Sequence, residues 1–413
     1  MIRTQLWASW LPCTVLLAAC GGGGGSGGST QSGPPPVPNM LTVTVDQGPT
    51  GLTNTGYSAA NTLYATVIVC TPGSMAACQT IDHVQVDTGS VGVQILAEVL
   101  NGSATPTEIL DPATNAPLRE CVQFADGYSW GSMVVADVTI GGRTVTKLPL
   151  HLIGDVKAGA APAGCVKGPP ENTVAKFGAN GVLGVGNFLQ DCGQYCVTQT
   201  ALSPYYACPL QTTTCQLTTV ALASQMQNPV WLFASDNNGI VVQLPGVTAQ
   251  SAPTLSGTLY FGIGTQANNS PGSATFYTLD GYGDLVTLFG TGPPLTSSFI
   301  DSGSNAYFFN SSITTCTSTG SVGFYCPASP ASVSATIQGA NGATHMATFT
   351  VDNATTLFAA PATAYPTLAG PNTAANAQSN SFDWGLPFFY GLRVYVLFEG
   401  YIVGATTGPA IAF

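Results

Sequence analysis

Val86-Asp87-Thr88-Gly89-Ser90 and Ile300-Asp301-Ser302-Gly303-Ser304 decide how this chain is read. Each puts an aspartate after an aliphatic residue and follows it with hydroxyl, glycine, hydroxyl. An aliphatic run that stops at Asp-Thr/Ser-Gly fits a buried strand ending in a tight turn, where glycine tolerates positive φ and the carboxylate collects N–H and hydroxyl donors. A single copy is an ordinary turn sequence. Two copies in separate halves point to a duplicated lobe with one carboxylate facing the other. Two carboxyls that share a proton can hold and activate a water by general acid–base chemistry.

The composition agrees with such an architecture. The 413 residues suffice for two lobes with substantial cores. Only 7% of residues are charged, against 49 Gly and 29 Pro, which favours short strands and turns over long surface helices. Eight basic residues against 19 acidic ones, with no basic run, argue against nucleic acid or anionic headgroups as partners.

The N-terminus reads as a targeting segment over residues 1–19: Arg3, an apolar stretch over 6–19, then Leu17-Ala18-Ala19-Cys20. Those four residues resemble the bacterial lipobox, which implies cleavage before Cys20 and lipidation of its thiol. The alternative is an ordinary secretion signal. Residues 20–39, rich in Gly, Ser and Pro, fit a tether from lipid anchor to folded domain. Gly21 after the cysteine fits outer-membrane sorting, so a lipid-anchored protein of the bacterial cell envelope is expected. No later apolar stretch is long enough to span a bilayer. Ten cysteines follow Cys20, an even number in an exported chain, so disulfides are the expected state. Spacing suggests Cys70–Cys78, Cys316–Cys326 and two bridges among Cys192, Cys196, Cys208 and Cys215, which leaves Cys121 and Cys165. A zinc site in the last cluster is the alternative, with no histidine nearby; no metal and no cofactor are expected.

Strands are expected at residues 41–45, 63–69, 83–87, 134–140, 181–186, 257–262, 298–301, 347–351 and 393–398, with short ones at 402–404 and 410–413. Phe124-Ala125-Asp126-Gly127 carries a hairpin turn pair between apolar flanks. Residues 220–227 read as the best short helix, with a strand at 230–233 after it. His83, His151 and His345 are scattered and read as ordinary surface or satisfied histidines.

In this order the pieces resemble the pepsin-like aspartic peptidases across nearly the whole chain after the tether. Asp87-Thr88-Gly89-Ser90 resembles the first catalytic loop, Phe124-Ala125-Asp126-Gly127 the flap, and Val182-Leu183-Gly184 the segment behind the first aspartate. Asp301-Ser302-Gly303-Ser304 resembles the second catalytic loop, and Gly385 through Phe398 the last glycine loop, short helix and final strand. The resemblance implies an all-β, bilobal fold with a pseudo-twofold dyad cleft, an N-terminal lobe at 40–245 and a C-terminal lobe at 246–413. It implies a monomer acting on a peptide or protein substrate. Asp87 and Asp301 would be the dyad; Ser90 and Ser304 would hydrogen-bond the outer carboxylate oxygens; Gly89 and Gly303 would let the loops approach, with Thr88 and Ser302 supporting them. The pair titrates as a unit, so neither aspartate is assigned the proton. Phe124 stands where the family's flap has tyrosine, and Gln94 where that tyrosine's tryptophan partner falls. Tyr128 or Trp130 is a candidate to fill the gap. The aspartates lie further apart in sequence than is usual, the excess mapping to the cysteine-rich stretch 187–217. The rival readings are a non-catalytic peptide or glycan binder on the same fold, which the altered flap pair favours, and a structural envelope protein.

Overall fold

The computed structural model describes residues 38–50, 52, 59–209, 214–248, 250–373 and 380–413. Residues 1–37, with Cys20, lie outside the described set. The described residues form strands with only short helical turns, in sheets of sixteen, seven and two strands.

Alternation produces the outer strands. In Leu63–Cys70, Ala65, Val67 and Val69 are buried while Thr66 and Ile68 are exposed, so one face packs on the core and the other is wetted. This strand pairs antiparallel with Cys78–Asp87 on one side and with Tyr128–Ile140 on the other. The inner strands do not alternate. Gly181–Val185 and Val91–Leu96 are buried at every position, as continuous apolar runs must be when both faces are covered. Gly181–Val185 runs parallel to Cys78–Asp87 with Gly184 opposite Asp87, and antiparallel to Val91–Leu96.

The second half repeats the arrangement. Leu295–Ile300 pairs antiparallel with Leu285–Phe289 and parallel with Asp383–Trp384, Ile300 standing opposite Trp384. In each half the aspartate stands at the end of a core strand, and the parallel neighbouring strand carries a glycine there: Gly184 opposite Asp87, and Gly385 just after Trp384, which faces Ile300. This internal repeat is the all-β bilobal architecture expected from the two Asp-Xaa-Gly-Ser segments. A shared layer joins the halves: Met40–Val45 pairs with Leu255–Phe261, which pairs with Gly239–Gln243, then Arg393–Leu397 and Ala410–Ala412. One hydrophobic core runs through the molecule from Val43 to Ile411. Its C-terminal part is aromatic, with Phe309 stacked on Phe382 at 4.8 Å and Trp384 on Phe382 at 4.3 Å.

One expectation needs correction. Residues 220–227 hold a single 3-10 turn at Leu222–Ser224 rather than a helix, and residues 230–233 are turns rather than a strand. Side chains take over the backbone partners there. Gln225 Nε2 donates to the Val220 and Gly193 carbonyls, and Asn228 Oδ1 accepts from the Val230 N–H across Pro229, which has no N–H of its own. Val230 and Phe233 are buried through the turn Phe233 N–H to Val230 carbonyl.

The ten described cysteines form five bridges: Cys70–Cys78, Cys121–Cys165, Cys192–Cys196, Cys208–Cys215 and Cys316–Cys326. The stretch 187–217 adds the strand Tyr205–Ala207 to the edge of Leu118–Gln123, the first strand of the 124–127 hairpin. Among the described residues no helix is long and apolar enough to cross a membrane.

Candidate active site

Burial of the aliphatic strands carries their terminal aspartates inward: Asp87 is 7% exposed and Asp301 9%. Each loop then folds back on its own carboxylate. Asp87 Oδ1 accepts from the Gly89 N–H at 2.7 Å, and Oδ2 accepts from the Ser90 hydroxyl. Asp301 Oδ1 accepts from the Gly303 N–H at 2.7 Å, and Oδ2 from the Ser304 hydroxyl at 2.9 Å.

The glycines permit the two loops to meet. A Cβ on Gly89 would lie 2.8 Å from Asp301 Cγ, and one on Gly303 2.5 Å from Asp87 Oδ1, so any side chain at either position collides with the opposite aspartate. Thr88 and Ser302 lock the approach reciprocally. The Thr88 N–H donates to Ser302 Oγ at 3.1 Å and the Ser302 N–H to Thr88 Oγ1 at 2.9 Å. Each hydroxyl in turn donates to the other loop's strand, Ser302 to the Val86 carbonyl at 2.8 Å and Thr88 to the Ile300 carbonyl at 3.3 Å. All four bonds are buried, where a lost partner would leave an unsolvated polar group. The eight residues expected at the dyad are therefore together.

Burial raises the Asp301 carboxyl well above the ordinary aspartate range, and the charge of Asp87, that of Asp383 and a hydrogen bond with Asp87 push the same way. Asp383 is a third buried acid, 5% exposed, and sequence reasoning missed it. Burial first, then the Asp87 charge, lift it to about 8 against the hydrogen bond from Ser304. A visible signal existed: Phe382-Asp383-Trp384-Gly385 sets one acid between two large aromatics, in a strand bound for the core.

The residues expected at a flap are brought together with each other and with a lateral segment. Phe124–Gly127 closes the hairpin between Leu118–Gln123 and Tyr128–Ile140 through the Phe124 N–H to Gly127 carbonyl bond. Phe124 meets Phe177 edge-on at 5.4 Å, and a Cβ on Gly127 would strike the Pro169 carbonyl at 2.5 Å and Glu171 Cγ at 2.7 Å. Burial and the nearby Asp126 raise Glu171 to about 7.

Gln94 is buried and bonded to His151 Nδ1 at 3.1 Å. Trp130 does not fill the gap there: it donates to the Gly159 carbonyl and packs on Tyr206. His151 is not a surface histidine. It is fully buried, 3.7 Å from Glu120 Oε2, and burial lowers it to about 3. Glu120 is pushed well above its usual range by burial and by Asp191, to which it is hydrogen-bonded. Burial raises Asp191 itself to about 6 while Tyr205 donates to it at 2.7 Å. Glu120 lies in a strand whose first four residues, Leu118 to Cys121, are all buried, so no alternation marked it.

A family model described as "Protein of unknown function (DUF3443)" matches residues 35–413. The chain belongs to that family. No curated protein matches it in sequence. Among solved structures it is similar to the aspartic proteinase from Irpex lacteus, at 14% identity, with 90% of this chain and 96% of that one covered and a TM-score of 0.49.

Proposed function

We propose that the protein is an aspartic endopeptidase tethered to a bacterial membrane by lipid on Cys20, acting on peptide or protein substrates. The observation that carries this reading is the pair of nearly buried carboxyls, Asp87 and Asp301, presented to each other by loops locked through Thr88 and Ser302. In the proposed step a water between the carboxyls gives its proton to the ionised one and attacks the scissile carbonyl, while the protonated one stabilises the tetrahedral oxyanion. Asp301, raised by burial and by Asp87, suits the protonated role.

Hydrolysis needs the singly protonated pair, so activity is expected on the acid side and is lost as pH rises through the upper apparent value of the pair. Full-length protein in detergent is incubated with a mixed peptide library from acid to neutral pH and read by mass spectrometry. Asp87→Asn and Asp301→Asn are each expected to abolish cleavage without unfolding the protein. Cleavage surviving both, or none by the wild type, refutes the proposal. Cys20→Ser is expected to release the protein from membranes or stall its precursor; unchanged fractionation overturns the tether. The second reading, a peptide or glycan binder without hydrolysis, draws on Gln94 and Phe124, which lack the family's tryptophan and hydroxyl.

A further inference from the structure

Side-chain amides from the first half of the chain hold the second aspartate loop. Gln85 Nε2 donates to the Gly303 carbonyl at 2.7 Å, and Asn61 Nδ2 donates to the Asn305 carbonyl at 2.8 Å. Between them the Ser304 carbonyl accepts from the Leu386 N–H at 2.7 Å, inside the second half. Three successive carbonyls of the loop are therefore pinned, two of them from across the molecule.

The fold places both donors. Gln85 lies two residues before Asp87 in Cys78–Asp87, and period-two alternation puts the two side chains on one face of that strand. The matching position before Asp301 is Phe299, which has no side-chain donor, so this support runs from the first half to the second and not back. Asn61 is fully buried just ahead of Leu63–Cys70 and adopts a φ of 50°, which asparagine tolerates. Its Nδ2 also donates to the Tyr365 carbonyl at 2.9 Å, and its Oδ1 accepts from the Tyr365 N–H and the Tyr390 hydroxyl, each at 2.7 Å. Carbonyls can only accept and the backbone N–H can only donate, so these partners fix which end of the amide faces Asn305. Gly303 and Asn305 flank Ser304, whose hydroxyl donates to Asp301 Oδ2, and the Gly303 N–H donates to Asp301 Oδ1. Holding the two flanking carbonyls holds the segment that carries both of these donors.

We propose that Gln85 and Asn61 are positioning residues of the dyad, two amides of the first half that keep the second aspartate loop at its working distance from Asp87. The functional consequence rests on the peptidase reading; the positioning itself does not. Without these amides the loop relaxes away with its own donors still on Asp301, so what changes at Asp301 is the field of Asp87. Two carboxyls that repel less give up their second proton more readily, and the upper apparent midpoint of the pair falls. Asp87 and Asp383 are the ionisable groups acting on Asp301, and the variants below alter neither.

The full chain in detergent, labelled with 13Cγ aspartate, is titrated by NMR, and the same samples are assayed for kcat and KM on the peptide library. Gln85→Met keeps the side-chain length and cannot donate; Asn61→Gly keeps the positive φ and removes the amide. Each is expected to lower the upper midpoint by about half a pH unit, roughly a threefold change in proton affinity. Each is also expected to lose about tenfold in kcat with KM within about twofold of wild type. Asn39→Ala serves as the comparison, because the Asn39 amide also crosses the halves, donating to the Phe261 carbonyl at 3.3 Å and to Asn268 Oδ1 at 3.1 Å, neither in an aspartate loop. It is expected to lower the melting temperature and leave the midpoint and kcat unmoved. An unmoved upper midpoint in either folded variant, an unmoved kcat where the wild type cleaves, or equal shifts in Asn39→Ala overturns the proposal. If Asn61→Gly does not fold, Gln85→Met decides alone. A shifted midpoint in a protein that cleaves nothing refutes the peptidase reading and leaves the positioning standing.

Discussion

Thr88→Val tests the joint between the two loops with the least disturbance, because valine keeps the shape and removes only the hydroxyl. Two buried bonds go: the acceptor of the Ser302 N–H and the donor to the Ile300 carbonyl. A buried N–H left unpaired costs about 1–3 kcal/mol and the second lost bond about 1 more, so a loss of roughly 2–4 kcal/mol is expected. At about 2.1 cal/mol/K of unfolding entropy per residue, a folded unit of this size shifts by roughly 1.3 °C per kcal/mol, which puts the drop near 2.5–5 °C by calorimetry. Ser302→Ala removes the mirror-image pair, the acceptor of the Thr88 N–H and the donor to the Val86 carbonyl, and is expected to cost a similar amount. Once one hydroxyl is gone the loops are free to part and the second is worth less, so the double variant should fall short of the sum by more than about 0.5 kcal/mol. Melting temperatures within 1 °C of wild type for both single variants, or strict additivity, would refute the view that these bonds lock the loops together.

Stability should rise as pH is lowered from about 8 toward 5. Asp191 at about 6, Asp383 at about 8, and Asp301 and Glu120 well above their usual range all bind protons in the folded state that the unfolded chain gives up. Their favourable contribution is complete below the unfolded carboxylate range and is lost as pH rises through the folded values. Glu171 at about 7 and Asp284 at about 6 act in the same direction, so His151, at about 3 and working the other way below about 6.5, is one group against six. A melting temperature that is flat or falling over that acidification contradicts these assignments. Replacing Cys121 and Cys165 by serine should cost about 4 kcal/mol in denaturant unfolding by the chain-entropy relation, against roughly 2 for Cys192 and Cys196, since the bridges span 44 and 4 residues. Equal costs would show that loop closure does not govern their contribution.

The strands, both aspartate loops and the hairpin at 124–127 were legible because they rest on local chemistry: alternation, aliphatic runs, and glycine where a turn or a close approach demands it. Gly89 and Gly303 are the clearest case, since each is needed by the carboxylate of the other loop rather than by its own turn. What was not legible depends on side chains that replace backbone partners. Residues 220–227 have helical spacing, yet Gln225 and Asn228 satisfy the chain as turns. Glu120 and His151 are titratable residues that burial, a tertiary effect, turns into neutral parts of the interior.

The altered flap pair gains a structural account from those same buried groups. In place of an aromatic ring, Gln94 binds His151, which lies against Glu120 on the first flap strand, so a polar chain occupies that side of the hairpin. The tip is held laterally. Tyr128 donates its N–H to the Pro169 carbonyl, Glu171 donates its N–H to the Tyr128 carbonyl, and Cys121–Cys165 ties the first flap strand to the same segment. A hairpin fastened along both strands does not depend on a single aromatic side-chain pair for its position. Phe124 and Gln94 therefore mark a change in how the flap is supported, and they weigh less against hydrolysis than they do when read as isolated losses.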